Sequence, residues 1–196
     1  MLVWLAAALI DLAALDATVR LDIRYATANN FLGRPVYAQA RAFLRPEVAQ
    51  SLVAAHAAVK AKGFGLLVFD AYRPLSVTRL FWNELPPEKR RFVANPAKGS
   101  NHNRGCAVDV SLYDLATGRE VAMPSPYDEM TARASADFAG GTAEARGLRD
   151  LLRSTLEASG FRVNPGEWWH FDHHDCPRYS VLDLSFEALD SASSLR

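Results

Sequence analysis

The run Ala107-Val108-Asp109-Val110-Ser111-Leu112 restricts the fold more than any other part of the chain. Its alternation places Val108, Val110 and Leu112 on one face of a strand and Ala107, Asp109 and Ser111 on the other. The first face suits a hydrophobic core. The second carries a carboxylate, which is costly to bury without a partner, and either a metal ion or an arginine can supply the missing positive charge. His102 lies seven residues before Asp109, within Gly99-Ser100-Asn101-His102-Asn103-Arg104-Gly105-Cys106. Further on, Gly166-Glu167-Trp168-Trp169-His170 adds a second imidazole with a carboxylate three residues ahead of it.

Two imidazoles and one carboxylate are a donor set suited to zinc, and three protein ligands leave a position for water. Zinc lowers the pKa of that water toward ~7, and a neighbouring carboxylate can take its proton. The expectation is one zinc per chain, with His102, Asp109 and His170 as ligands and Glu167 as general base. Positions three apart on a regular strand face opposite ways. Glu167 and His170 can therefore cooperate only across a bulge, bend or helical turn, and Pro165-Gly166 makes irregular backbone plausible there. His173, His174 and Asp175 form a rival cluster, read as an exposed or supporting loop because Asp172 to Pro177 is polar and ends in proline. Trp168 and Trp169 read as core or cleft-wall aromatics. Cys106 reads as a small buried residue at the strand entry; a bridge to Cys176 is open, with no geometry in the spacing to support it. In Asp70-Ala71-Tyr72-Arg73-Pro74, the proline biases Arg73 away from helical backbone. Its guanidinium either pairs with Asp70 or stabilises a developing oxyanion.

The 196 residues suit a single domain. Lys plus Arg, at 22, equals Asp plus Glu, so no basic face is implied and nucleic acid is not expected as a partner. Val19 to Tyr25 reads as a half-buried strand, Pro46 to Lys62 as a helix stopped by Gly63, Phe64 to Phe69 as a central strand, and Ser76 to Glu84 as a helix. Pro86 to Lys98 reads as a surface excursion. Glu120 to Met123 is expected to return as a short strand after Thr117-Gly118, and Pro124 to Met130 to be loop. Ala132 to Gly141 looks the least ordered, and Glu144 to Ser159 is an amphipathic helix closed by Gly160. His56, alone on its helix, reads as a surface or core residue. Met1 to Ile10 is apolar but lacks a positive n-region and is too short to span a bilayer, so it reads as a docking segment or a weak export signal.

With these residues in place, Ser100-x-His102-x2-Gly105-x-Ala107-x-Asp109 and Glu167-Trp168-Trp169-His170 resemble the VanX-type D-alanyl-D-alanine dipeptidases, zinc peptidases of the Hedgehog/DD-peptidase fold. Asp22 to Phe31, Asp70 to Pro74 and Tyr127-Asp128 resemble that family's signatures in the same order, and the likeness spans residues 9 to 185. The resemblance implies an α+β domain with a central antiparallel sheet flanked by helices. It implies hydrolysis of a small D,D-dipeptide, with Arg73 polarising the scissile carbonyl and Asp128 holding the substrate ammonium. Tyr25 would sit near the substrate's amino end and Ser100 toward its carboxylate. Asn101, where a second serine is common in the family, and Cys106 are departures. A DD-carboxypeptidase or peptidoglycan endopeptidase on the same scaffold, or a silent zinc-binding domain, are the alternatives. The implied roles are glycopeptide resistance or turnover of wall-derived D-alanine, in the bacterial cytoplasm by first choice and otherwise the periplasm.

Overall fold

The computed structural model describes residues 9–193. Most of the apolar N-terminal segment falls outside them, and only its end is seen, where Ile10 enters a short strand. That strand, β1 (Ile10–Asp11), pairs antiparallel with β3 (Phe43–Leu44). Between them lie the turn-length helix α1 (Leu12–Leu15) and the two-residue strand β2 (Arg20–Leu21). The helix α2 (Pro46–Lys60) begins with Pro46 and Glu47 in its first turn, where a missing N–H and a negative charge are both favourable. Then follow β4 (Phe64–Asp70), α3 (Leu75–Glu84), β5 (Ala107–Asp114), α4 (Ala143–Ala158), β6 (Phe161–Asn164), β7 (Glu167–His173) and α5 (Phe186–Ser193).

Five strands form the main sheet in the order β2-β4-β5-β7-β6. Every pair is antiparallel except β2 with β4, so the expected antiparallel sheet carries one parallel edge. Helices α2 and α4 pack on each other and on the sheet, α2 over β4 and α4 over β6. A single core cluster joins Leu52 and Val59 of α2, Leu152 and Leu156 of α4, and Val68, Val110 and Phe171 of the sheet, all buried. Among the described residues, no helix is long and apolar enough to cross a membrane.

Three segments depart from the sequence reading. The strand expected over Val19 to Tyr25 stops after Leu21 and tightens into a 3-10 turn at Arg24–Ala26. Arg24 explains the change, since its guanidinium is held by both Asp22 and Glu120 and covers the Phe69 ring. The segment Ala132 to Gly141 is well anchored rather than loose. Thr131 caps a 3-10 turn there, Ala134 and Ala136 are buried, and the Ala136 N–H donates to Pro165 O. Small residues at these positions allow close approach to the turn between β6 and β7, which composition alone disguised. The returning strand at Glu120 to Met123 is reduced to a bridge between Tyr113 and Glu120, flanked by bonds from Val121 N–H to Leu112 O and from Asp114 N–H to Arg119 O.

Cys106 and Cys176 form a disulfide, with 5.4 Å between their Cα atoms. It ties the start of β5 to the turn that follows β7, beside the bond from His173 N–H to Cys106 O. Spacing gave no support for this pairing, because only the register of β5 on β7 brings the two sulfurs together.

Candidate metal centre

Strand register builds the site. In the β5–β7 pair Asp109 lies directly opposite His170, and Ala107 opposite Asp172, so Asp109, His170 and Asp172 share one face. In the β6–β7 pair the register jumps from Val163↔Phe171 to Asn164↔Glu167. This is the irregularity that the Glu167-x2-His170 spacing required, and it turns Glu167 to the same cleft as His170. A second irregularity in the β4–β5 pair, between Val68 and Asp70, sets Asp70 beside Asp109. Two bulges at one end of a sheet thus gather the polar groups.

His102 arrives from outside the sheet, on a 3-10 turn (His102–Arg104) that ends at Gly105. Gly105 has φ of 71°, a left-handed conformation that glycine accepts without steric cost, and the Ser100 hydroxyl accepts the His102 N–H at 3.2 Å. The His102 ring is buried, with Nδ1 donating to Ala71 O at 2.7 Å. His170 Nε2 is 2.9 Å from Asp172 Oδ1. Both outer nitrogens are therefore committed, and the inner pair, His102 Nε2 and His170 Nδ1, face each other at 3.1 Å. Asp109 Oδ1 completes a triangle, 3.3 Å from His102 Nε2 and 3.1 Å from His170 Nδ1.

That triangle fits a metal ion. Ligand bonds of about 2.0–2.1 Å in tetrahedral geometry place neighbouring donors about 3.3 Å apart. Two imidazole lone pairs facing each other and a carboxylate repel unless a cation or proton lies between them. Burial alone would push the His170 pKa down, but the bonds to Asp109 and Asp172 raise it well above its usual value. Asp109 shows the converse. Burial would raise its carboxyl, yet His102 and His170 hold it well below the ordinary range, and Tyr127 donates to its Oδ2 at 2.9 Å.

Around the triangle lies a cleft of about 290 Å³, at the small end of ligand sites. Glu167 Oε2 is 3.9 Å from His170 Nδ1 and accepts from Asn164 Nδ2 at 3.1 Å. Burial raises its pKa, partly offset by His170, which suits a group that must accept a proton. Arg73 resolves the alternatives left open by its sequence: it pairs with Asp70 and it also faces the cleft. Its Nε and Nη2 donate to Asp70 Oδ2 at 2.9 and 2.7 Å, and Tyr37 donates to the other Asp70 oxygen. Nη2 stands 3.7 Å from Asp109 Oδ2. Burial opposes the charge, but Asp70 and neighbouring groups keep the Arg73 pKa well above its ordinary value, so the guanidinium stays charged and fixed.

Asp128 has a φ of 61°, unusual for a residue other than glycine. Its Oδ1 accepts from Tyr25 at 3.0 Å, while Oδ2 is buried without any hydrogen-bond partner. Burial, reinforced by Asp109, lifts its pKa to about 8. Tyr25 lines the same cleft. Ser100 is not among the lining residues, and its hydroxyl oxygen accepts the His102 N–H.

Trp168 is core, with Nε1 donating to Ser125, and Trp169 lines the cleft. His173, His174 and Asp175 do have ligand atoms within 4.8 Å of one another. His173 is buried, which the loop reading did not foresee; it bonds Ser51 and the Asp175 N–H. His174 bonds Gly160 O, and Asp175 pairs with Arg178. Three groups at the site were missed in sequence. Asp172 was legible, since two residues along a strand from His170 it must share that face. Tyr127, read only as part of a motif, and the wall formed by Arg91 to Ala94 carried no local signal.

An α+β domain whose sheet end presents two histidines and an aspartate around one point, with a glutamate and a fixed arginine beside them, has the arrangement of a metallohydrolase. The comparisons with known proteins make the class specific. The M15 peptidase family model, described as D-ala-D-ala dipeptidase, matches residues 5–188. A D-alanyl-D-alanine dipeptidase of Escherichia coli (strain K12) is 31% identical over 183 residues, covering 93% of this chain and 93% of that protein. One of Enterococcus faecalis (strain ATCC 700802 / V583) is 38% identical over 178 residues, covering 81% of this chain and 88% of that one. One of Streptomyces coelicolor is 33% identical over 182 residues, covering 82% and 90% respectively. The chain belongs to the D-alanyl-D-alanine dipeptidase family of M15 peptidases.

Proposed function

We propose that this protein is a zinc-dependent dipeptidase that hydrolyses free D-alanyl-D-alanine to two D-alanines. The observation that carries the reading is the buried, unpartnered Asp128 Oδ2 in the same cleft as the donor triangle and Glu167. A carboxylate oxygen kept without a donor is costly unless a ligand supplies one. A substrate ammonium is such a donor, and anchoring it fixes the distance from the amino end to the reacting carbonyl.

Zinc held by His102 Nε2, Asp109 Oδ1 and His170 Nδ1 would supply Lewis acidity toward the carbonyl and lower the pKa of a water molecule. The protein's own groups do the rest. Asp128 binds the ammonium, with the Tyr25 hydroxyl holding its Oδ1. Arg73, clamped by Asp70, donates to the carbonyl oxygen as negative charge develops there. Glu167 takes the proton of the attacking water and returns it to the nitrogen of the departing D-alanine.

The test pairs zinc content with D-alanine release from a panel of D- and L-dipeptides and a cell-wall pentapeptide. The expected result is one zinc per chain and turnover confined to small D,D-dipeptides. Cleavage of the pentapeptide in preference to the dipeptide would replace this reading with a DD-carboxypeptidase. Bound zinc without hydrolysis would leave a silent binding domain. The Cys106–Cys176 bridge supports the periplasm over the cytoplasm, since disulfides persist in oxidising compartments.

A further inference from the structure

A zwitterionic dipeptide carries a carboxylate that none of the groups above addresses. Ser100, expected to face it, is not among the cleft-lining residues, and its hydroxyl oxygen accepts the His102 N–H. Two arginines line the cleft, Arg73 and Arg91. Arg73 is held by Asp70 and stands beside Asp109. Arg91 is exposed, its guanidinium carbon lies 4.8 Å from the centre of the Phe92 ring, and no carboxylate among the described residues pairs with it. Glu129, an acidic residue of the same wall, is already matched by Thr131 and Arg133. The cleft therefore has one unmatched cation.

The segment that carries it is anchored. Arg91 sits in the 3-10 turn Pro87–Phe92, whose Arg90 Nε donates to Trp82 O at 2.9 Å and Leu85 O at 3.3 Å at the end of α3. What reads in sequence as a surface excursion is a fixed wall, with Arg90 serving the fold and Arg91 facing the cleft. We propose that Arg91 is a specificity-determining residue that pairs with the free C-terminal carboxylate of the substrate. With Asp128 on the ammonium, it makes the cleft a two-ended gauge for a peptide of two residues. An extended dipeptide spans only about 7 Å, so a longer or C-terminally blocked peptide meets one counter-charge and not both.

This inference rests on the dipeptidase reading, and its test separates the two. The zinc-loaded Glu167→Ala protein binds uncleaved ligand, so the affinities of D-Ala-D-Ala and its C-terminal amide are compared by calorimetry with Arg91, Arg91→Gln and Arg91→Lys. A charge-assisted bond to the carboxylate predicts about tenfold preference for the acid over the amide, lost in Arg91→Gln and partly kept in Arg91→Lys. Lys89→Gln, in the same basic run but outside the cleft wall, should leave the preference intact. In the active enzyme, Arg91→Gln should raise KM about tenfold for the acid, with kcat and zinc content unchanged. Equal effects of Arg91→Gln on acid and amide, or of Lys89→Gln and Arg91→Gln on the acid, would overturn the assignment while leaving the dipeptidase reading standing. Failure of both ligands to bind, with no D-alanine released by the wild type, would overturn both.

Discussion

Asp128→Asn should make the metal-free protein more stable and the enzyme far worse. In the fold this carboxyl ionises at about 8, raised by burial and by Asp109, against about 3.9 in an unfolded chain. The native state therefore binds more protons across that interval. Stability falls as pH rises from about 4 to about 8, and the loss is complete above it. The gap sets a ceiling of about 6 kcal/mol. Solvent reaches part of the residue, which reduces the cost to about 2–3 kcal/mol. Asparagine removes the titration and keeps an oxygen for the Tyr25 hydroxyl. It also tolerates the left-handed backbone at φ 61°. Urea melts of chelator-treated wild type and Asp128→Asn at pH 5 and pH 9 should show a small, constant offset at pH 5 and an additional advantage of about 2–3 kcal/mol for the variant at pH 9. With zinc restored, the variant should lose about a hundredfold in kcat/KM, the scale of removing one partner of a desolvated charge pair. Parallel pH profiles for the two proteins would refute the claim that Asp128 is an uncompensated buried carboxylate awaiting a cation.

Three other changes test separate parts of the site. Glu167→Gln should keep zinc by elemental analysis and lose about 10³-fold or more in kcat, since it removes the proton acceptor without touching a ligand. Asp172→Asn should weaken zinc binding about 10–100-fold in a competitive chelator titration, because the His170 ring loses the carboxylate that orients it at 2.9 Å. Replacing both Cys106 and Cys176 by serine should cost about 4 kcal/mol in urea denaturation under oxidising conditions, from releasing a loop of 70 residues, and nothing relative to wild type treated with reductant.

Much of the donor triangle and its neighbouring glutamate was legible because the residues sit in strong local patterns. Asp109 interrupts an alternating core strand, and Glu167 and His170 have a spacing that demands irregular backbone. The helices α2 and α4 were legible for similar reasons, through their periodicity and the Gly63 and Gly160 stops. What failed depended on tertiary pairing. Val19 to Tyr25 alternates well enough for a strand, but Arg24 has two carboxylate partners, one of them Glu120 far along the chain. The disulfide required the β5–β7 register. Arg91 looked like one of many surface charges because nothing local says that its turn folds back over the cleft.

The charges in the cleft also imply an order of binding. Burial and the neighbouring Asp109 lift the Asp128 pKa to about 8. In that state Asp128 is a poor partner for an ammonium ion at neutral pH. A dication bound by the donor triangle adds positive charge next to Asp109, whose negative charge is itself one reason that Asp128 resists ionising. Metal loading should therefore draw the Asp128 pKa down and switch on ammonium binding. Dipeptide affinity at pH 7 should depend on zinc even for ligands that cannot be cleaved, and that dependence should shrink as the pH is raised past 8. The coupling is reciprocal, so bound dipeptide must also tighten zinc.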